Sequence, residues 1–191
     1  MDDIDSSYYE AMELIFQGRL EEAESLLLEA LERNPDNVEL LCDLGSTYQR
    51  LDRWDIAEKT FRTATEKGPD NQQAWIKLGI VLIRQMKYEE AIAASLKAID
   101  IVPDNPFTWL DIGYCYYELG KWSEAENAYL EAQRLYPDDI DTYYYLSQTY
   151  FQQGRYEDAE KAIRKVLEEH PDSSDSLSLL TDILEKLGRT A

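Results

Sequence analysis

Along this chain apolar residues recur at i, i+3, i+4 and i+7, in runs separated by short polar breaks. Trp109, Ile112, Gly113 and Tyr116 make one such run, and Trp75, Leu78, Gly79 and Leu82 make another. That spacing puts all four side chains on one face of a helix. The run that follows each of these carries small residues: Ala91, Ser95 and Ala98, then Ala125 and Ala132 with Tyr129 between them. The pattern predicts pairs of amphipathic helices. The first helix of each pair is about 14 residues, roughly 21 Å at 1.5 Å per residue. Glycine in the first helix and alanine in the second remove side chains where the two must approach.

The pairs repeat. Proline recurs every 34 residues, at Pro35, Pro69, Pro103, Pro137 and Pro171, and a fixed period of this length is the signature of a solenoid of stacked units. In register with the prolines stand Ala23, Ala57, Ala91, Ala125 and Ala159, and three residues before each alanine is a bulky side chain: Leu20, Trp54, Tyr88, Trp122 and Tyr156. The breaks are also regular. Gly18, Gly120, Gly154 and Gly188 suit the position just past a helix C-terminus, where a positive φ is needed. A base follows in each repeat, at Arg19, Arg53, Lys87, Lys121, Arg155 and Arg189, where the helix dipole favours a cation. Asn37, Asn71, Asn105, Asp139 and Ser173 suit helix N-caps, and Pro106 sits in a first helical turn, where proline is tolerated.

These columns resemble the tetratricopeptide repeat, whose pattern is W-x2-L-G-x2-Y, then A-x3-F, then P. The fourth unit reads Trp109, Ile112, Gly113, Tyr116, Ala125, Tyr129, Ala132, Pro137; the second reads Leu41, Leu44, Gly45, Tyr48, Ala57, Phe61, Ala64, Pro69. The resemblance implies an all-α, right-handed superhelical solenoid of antiparallel helix pairs. It sets one domain over 1–191, with five units at about 4–37, 38–71, 72–105, 106–139 and 140–173, and a capping helix at 174–187. It also implies a concave groove lined by the first helix of each unit. One branch of the family grips a chaperone C-terminal carboxylate with Lys, Asn and Arg. The matching positions here hold Tyr8, Met12, Asp43, Gln73 and Lys77, of which only Lys77 is basic, so that ligand is rejected.

Composition narrows the function. The chain is 44% hydrophobic and 30% charged, enough to bury a core. It has no apolar run of about 18 residues, the length a membrane helix needs, and the start, Met1 to Asp5, lacks the basic and apolar regions of a secretory signal. A cytoplasmic protein is expected. The net charge of −20 argues against nucleic acid, whose binding requires Lys and Arg on phosphates. Residues 1–37 hold eleven acids against Arg19 and Arg33, which reads as a solvated surface or as an attraction for a basic partner. Cys42 and Cys115 lie more than two repeats apart and are read as reduced core residues. His170 stands alone beside Pro171. There is no phosphate loop, no zinc spacing and no convergent set of catalytic groups. No enzyme activity, metal or cofactor is expected.

Binding remains. At 100° per residue, Ile76, Ile80, Ile83, Phe107, Leu110, Tyr114, Tyr117, Tyr144 and Phe151 fall on the first-helix face that lines the family's groove. They would form an apolar and aromatic strip of the kind that marks an interaction site. The expected function is a non-catalytic scaffold or adaptor that takes a peptide or helix of a protein partner. The alternative is a chaperone that shields an apolar segment of a client, similar to the repeat-built chaperones of bacterial secretion. At the C-terminal end, Leu177, Leu180 and Leu184 repeat the intra-unit apolar face with no second helix after them. This face is expected to be covered by further repeats, by another molecule including a second copy, or by an imperfect cap.

Overall fold

The computed structural model describes residues 6–189. The expected start of the first repeat at residue 4, and the segment Met1 to Asp5 read for a signal, lie outside the described residues. Among the described residues the structure is helical throughout, with no strand: α1 Ser6–Gln17, α2 Leu20–Arg33, α3 Val38–Arg50, α4 Trp54–Lys67, α5 Gln72–Arg84, α6 Tyr88–Ile101, α7 Pro106–Glu118, α8 Trp122–Leu135, α9 Ile140–Gln152, α10 Tyr156–Glu169 and α11 Ser174–Lys186.

The predicted caps form. Asn37 and Asn71 accept the backbone N–H of Leu40 and Ala74 at 3.0 and 2.9 Å. Asp139 accepts that of Thr142 at 2.9 Å and Ser173 that of Ser176 at 3.4 Å. Each satisfies a donor that the first helical turn leaves open. Breaks inside the pairs close with one backbone geometry: the N–H of Arg53, Lys87, Lys121, Arg155 and Arg189 donates to the carbonyl five residues earlier, each at 2.9 Å. The residue before each base must then take a positive φ. Gly120 and Gly154 do so at 71° and 73°, but Asp52 and Met86 do so too, both at 60°. Asp52 is a tolerated residue there, and its carboxylate accepts the Trp54 Nε1–H at 2.9 Å. Met86 has no such compensation and is 74% exposed. Met86→Gly is expected to stabilise the fold by about 0.5–1 kcal/mol, the left-handed strain removed less the entropy glycine adds to the unfolded chain. A urea midpoint that falls rather than rises would contradict this.

The chain forms two compact units, Met1–Pro103 and Asp104–Ala191. In the first, α1 to α6 pack as successive antiparallel neighbours, and α3 also touches α5, so the first helices of the pairs share a layer. Phe61 of α4 is fully buried, and its ring occupies the space opposite Gly45, where a Cβ would lie 2.7 Å from it. In the second unit α7 to α11 follow the same rule, with α9 touching both α7 and α11. Tyr129 of α8 takes the place of Phe61, opposite Gly113. In the last full pair the glycine becomes Ser147, whose hydroxyl donates to the Ala159 carbonyl at 2.9 Å; Ile163 stands where the aromatic ring would be.

The bases of the breaks do more than face a helix dipole. Arg53 and Lys87 reach back to Glu24 and Glu58 at 2.7 Å each, and Arg155 and Arg189 reach Glu126 and Glu160 at 2.8 and 2.6 Å. Every one of these partners lies 29 residues earlier, on the second helix of the preceding pair. The four carboxylates are mostly buried, so these pairs are better shielded from solvent than ordinary surface ion pairs. Ile92 stands 29 residues before Lys121, so the sequence has no carboxylate for that base; Lys121 instead lies over the Tyr116 ring, 6.0 Å from its centroid.

Candidate partner-binding surface

In the second unit α7 and α9 carry most of the expected strip. Phe107 is 60% exposed, edge-on to Tyr136 at 6.5 Å. Leu110, Tyr114, Tyr117, Tyr144 and Phe151 are half-buried. Four of them rest on the core: Leu110 and Tyr117 pack on the cluster of Ala125, Tyr129 and Leu146, and Tyr144 and Phe151 on that of Ala159, Ile163, Val166 and Ile183. Contacts at the rim hold the rings. Tyr117 meets Trp122 edge-on at 5.1 Å and Phe151 meets Tyr156 at 5.5 Å. The side-chain amides of Gln148 and Gln152 donate to the hydroxyls of Tyr144 and Tyr117 at 3.3 and 3.4 Å. Aromatic rings fixed on one edge and open on the other lose little freedom when a partner covers them.

Two residues on this face escape a helical-wheel reading. Tyr145 is edge-on to Tyr144 at 5.9 Å and stacks on the buried Tyr129 ring at 5.4 Å and 10°. Asp111 is half-buried with no ion pair among the described residues, and burial alone pushes its carboxyl up to about 6. The hydroxyls of Tyr144 and Tyr145 are also raised, first by burial; Asp175 adds to the first, and Asp141 and Asp111 to the second. The signal that could have found them is the 34-residue column Asp43, Lys77, Asp111, Tyr145. Polar side chains at a regular, inward-tending position are a sign of a lined face.

In the first unit the corresponding column is occupied by internal contacts. The Tyr8 hydroxyl donates to Asp43 Oδ2 at 3.0 Å; burial and the carboxylate together push its pKa up to about 12. Burial raises Asp43, while this bond and Lys77 act to lower it. Arg50 Nη1 donates to the Ile15 carbonyl at 2.8 Å. Ile76 and Ile83 are half-buried and Ile80 is exposed. An open cleft elsewhere in this unit is lined by Asp52, Trp54, Asp55, Arg84 and Gln85 among others. Its charged and polar groups already engage one another: Arg84 lies 5.4 Å over the Trp54 ring and Gln85 donates to Asp55 at 3.0 Å.

The C-terminal leucines divide. Leu177 is 45% exposed, but Leu184 is only 7% exposed, and Leu180 is half-buried against the Ile163 cluster. The three do not form one open face, because α11 packs on both α9 and α10 and turns Ile183 and Leu184 inward. Cys42 and Cys115 are buried thiols, and burial pushes the Cys42 thiol up to about 11, which makes it unreactive. His170 is exposed in the turn after α10. Among the described residues there is no group of three or more His, Cys, Asp or Glu placed to hold a metal, and no helix long and apolar enough to cross a membrane.

A profile of the tetratricopeptide repeat matches residues 8–48, 42–106, 110–174 and 144–191. No curated protein sequence matches the chain. Solved structures with the same fold include a tetratricopeptide repeat protein from Parabacteroides merdae, 18% identical, with a TM-score of 0.85 over 97% of this chain and 75% of the other. MamA from Desulfovibrio magneticus is 20% identical with a TM-score of 0.82, covering 88% and 96%. YrrB, described as a repeat protein with an unusual peptide-binding site, is 22% identical with a TM-score of 0.81, covering 93% and 91%.

Proposed function

The chain belongs to the tetratricopeptide repeat family, and on that premise we propose that it is a non-catalytic scaffold whose α7–α9 face docks a segment of a protein partner. One observation carries the reading: Phe107, Leu110, Tyr114, Tyr117, Tyr144 and Phe151, all on α7 and α9, are half-buried or exposed, and four of them, Leu110, Tyr117, Tyr144 and Phe151, also rest on the core. Aromatic side chains in this state are the usual anchors of an interface. The described peptide-binding site of YrrB, on the same fold, supports a peptide as the form of the ligand. We infer a cytoplasmic setting, with which the two free, buried thiols of Cys42 and Cys115 agree.

The test is the double variant Tyr114→Ala/Tyr144→Ala. Capture from the source lysate with wild type and variant side by side, followed by titration of the captured partner, is expected to show binding weakened by about tenfold or more, equivalent to about 1.4 kcal/mol. Helical circular dichroism should be unchanged, since neither ring is fully buried. Equal affinity for both proteins would remove this face from the binding site.

A further inference from the structure

We propose that the aromatic face around Tyr144 and Tyr145 receives a lysine or arginine side chain, and that the docked segment of the partner is therefore basic. This rests on the reading that the α7–α9 face binds a protein. It goes further by naming the chemistry of the occupant.

The argument is charge complementarity. Every Lys and Arg of the Asp104–Ala191 unit is found at Lys121, Arg134, Arg155, Lys161, Arg164, Lys165, Lys186 or Arg189. All lie in the breaks, on α8 or α10, or at the C-terminal end of α11; α7 and α9 carry none. Most carboxylates of the second-helix layer have cations at hand, Asp158 with Arg155 among them, while Glu124, Glu157 and Glu169 have no ion pair among the described residues. Glu126 pairs with Arg155, Glu131 with Arg134, Glu160 with Arg164 and Arg189, and Glu168 with Lys165. On the first-helix face Asp111, Asp141 and Asp175 have no ion pair among the described residues. They are not scattered: Asp141 lies one helical turn before Tyr144 and Tyr145 on α9, Asp111 stands in the 34-residue column of Tyr145 on α7, and Asp175 stands in the column of Asp141 on α11, and α9 touches both α7 and α11.

The two kinds of group ask for the same ligand. An aromatic ring attracts a cation over its face, most strongly when water is excluded. Asp111, half-buried with no ion pair, is relieved by an arriving cation, and the exposed Asp141 and Asp175 add to the attraction. A neutral apolar peptide would cover the rings but desolvate all three carboxylates without a partner. An acidic peptide would be repelled by three of them. A lysine or arginine with apolar neighbours satisfies both the rings and the acids, its alkyl stem lying along Leu110 and Tyr144 while the charged head reaches the carboxylates.

Three fluorescent peptides of equal length decide the matter, each alternating leucine with arginine, glutamine or glutamate, titrated by anisotropy at low and high salt. The arginine peptide is expected to bind about tenfold or more tighter than the glutamine peptide, with the preference shrinking at high salt. Asp111→Asn/Asp141→Asn/Asp175→Asn should abolish the preference. Glu124→Gln/Glu157→Gln/Glu169→Gln removes the same charge from the second-helix layer and should leave the preference intact. Should the triple Asn variant prove unstable, Tyr144→Leu, which keeps the apolar bulk and removes the ring, is expected to lose the arginine preference alone. Equal binding of the arginine and glutamine peptides overturns the basic ligand and leaves the docking face standing. Equal loss in both triple variants overturns it as well, by showing general attraction to an acidic protein. If no peptide binds and Tyr114→Ala/Tyr144→Ala captures its partner normally, the docking face fails too.

Discussion

Gly113→Ser is expected to destabilise the Asp104–Ala191 unit by about 2–3 kcal/mol, the upper part of the range for overfilling a packed site, and adding Tyr129→Ile is expected to recover at least about 1 kcal/mol of that through coupling between the two positions. A Cβ on Gly113 would lie 2.5 Å from a ring carbon of Tyr129. The ring has nowhere to go: it is fully buried and stacked on Tyr145. The last full pair of the same chain shows the compatible combination, Ser147 with Ile163, in which the serine hydroxyl finds the Ala159 carbonyl. Gly79 supplies the contrast. Its opposing atom is the Ser95 hydroxyl, 2.9 Å from a Cβ at that position, and a hydroxyl can rotate aside. Gly79→Ala should therefore be near neutral, with the helix propensity of alanine, up to about 1 kcal/mol, offsetting the adjustment. Urea unfolding of the two single variants and the pair measures the cycle. Strict additivity at Gly113 and Tyr129 would show that the ring is not what the glycine accommodates.

Asp111→Asn is expected to raise stability above neutral pH by about 1–2 kcal/mol and to leave it nearly unchanged near pH 4. The carboxyl titrates at about 6 in the folded chain against an ordinary 3.8. Between these values the folded protein holds a proton that the unfolded chain releases, so stability falls as pH rises through the window and levels off above it. The full shift would correspond to about 3 kcal/mol; the side chain is only half-buried, and solvent screening reduces that. The difference between wild type and variant should grow from about pH 4 to 6 and then stay flat. A difference independent of pH would mean the carboxylate is solvated in the folded state. A group that lowers stability at neutral pH and lies on the candidate docking face is the kind of residue retained for binding, since function tolerates such local costs.

The arrangement of helices was legible because it is encoded locally. The spacing at Trp109, Ile112 and Tyr116, the N-cap residues Asn37, Asn71, Asn105 and Asp139, and the glycines at the breaks each act within one or two turns, so a linear reading finds them. Where a local rule is broken, at Asp52 and Met86, the turn still forms, because the backbone bonds of Arg53 and Lys87 and their ion pairs with Glu24 and Glu58 outweigh the strain of a non-glycine residue there.

The candidate surface was legible only in outline. The helical wheel placed Leu110, Tyr114, Tyr117, Tyr144 and Phe151 on one face but could not say how far each is buried. It grouped Leu184 with Leu177, and the packing of α11 on α9 and α10 separates them. It passed over Asp111 and Tyr145, whose character comes from neighbours on other helices. The repeat, the helix pairs, the caps and the family could be read from the residues alone, since these follow from periodicity and backbone hydrogen bonding inside one unit. Packing between helices sets which glycine faces a ring that cannot move, which acids have a cation and which do not, and which aromatic side chains stay partly exposed. Those properties are set largely by residues on other helices, 16 positions away at Gly113 and Tyr129 and 29 at Glu126 and Arg155, brought near by packing and not by local periodicity.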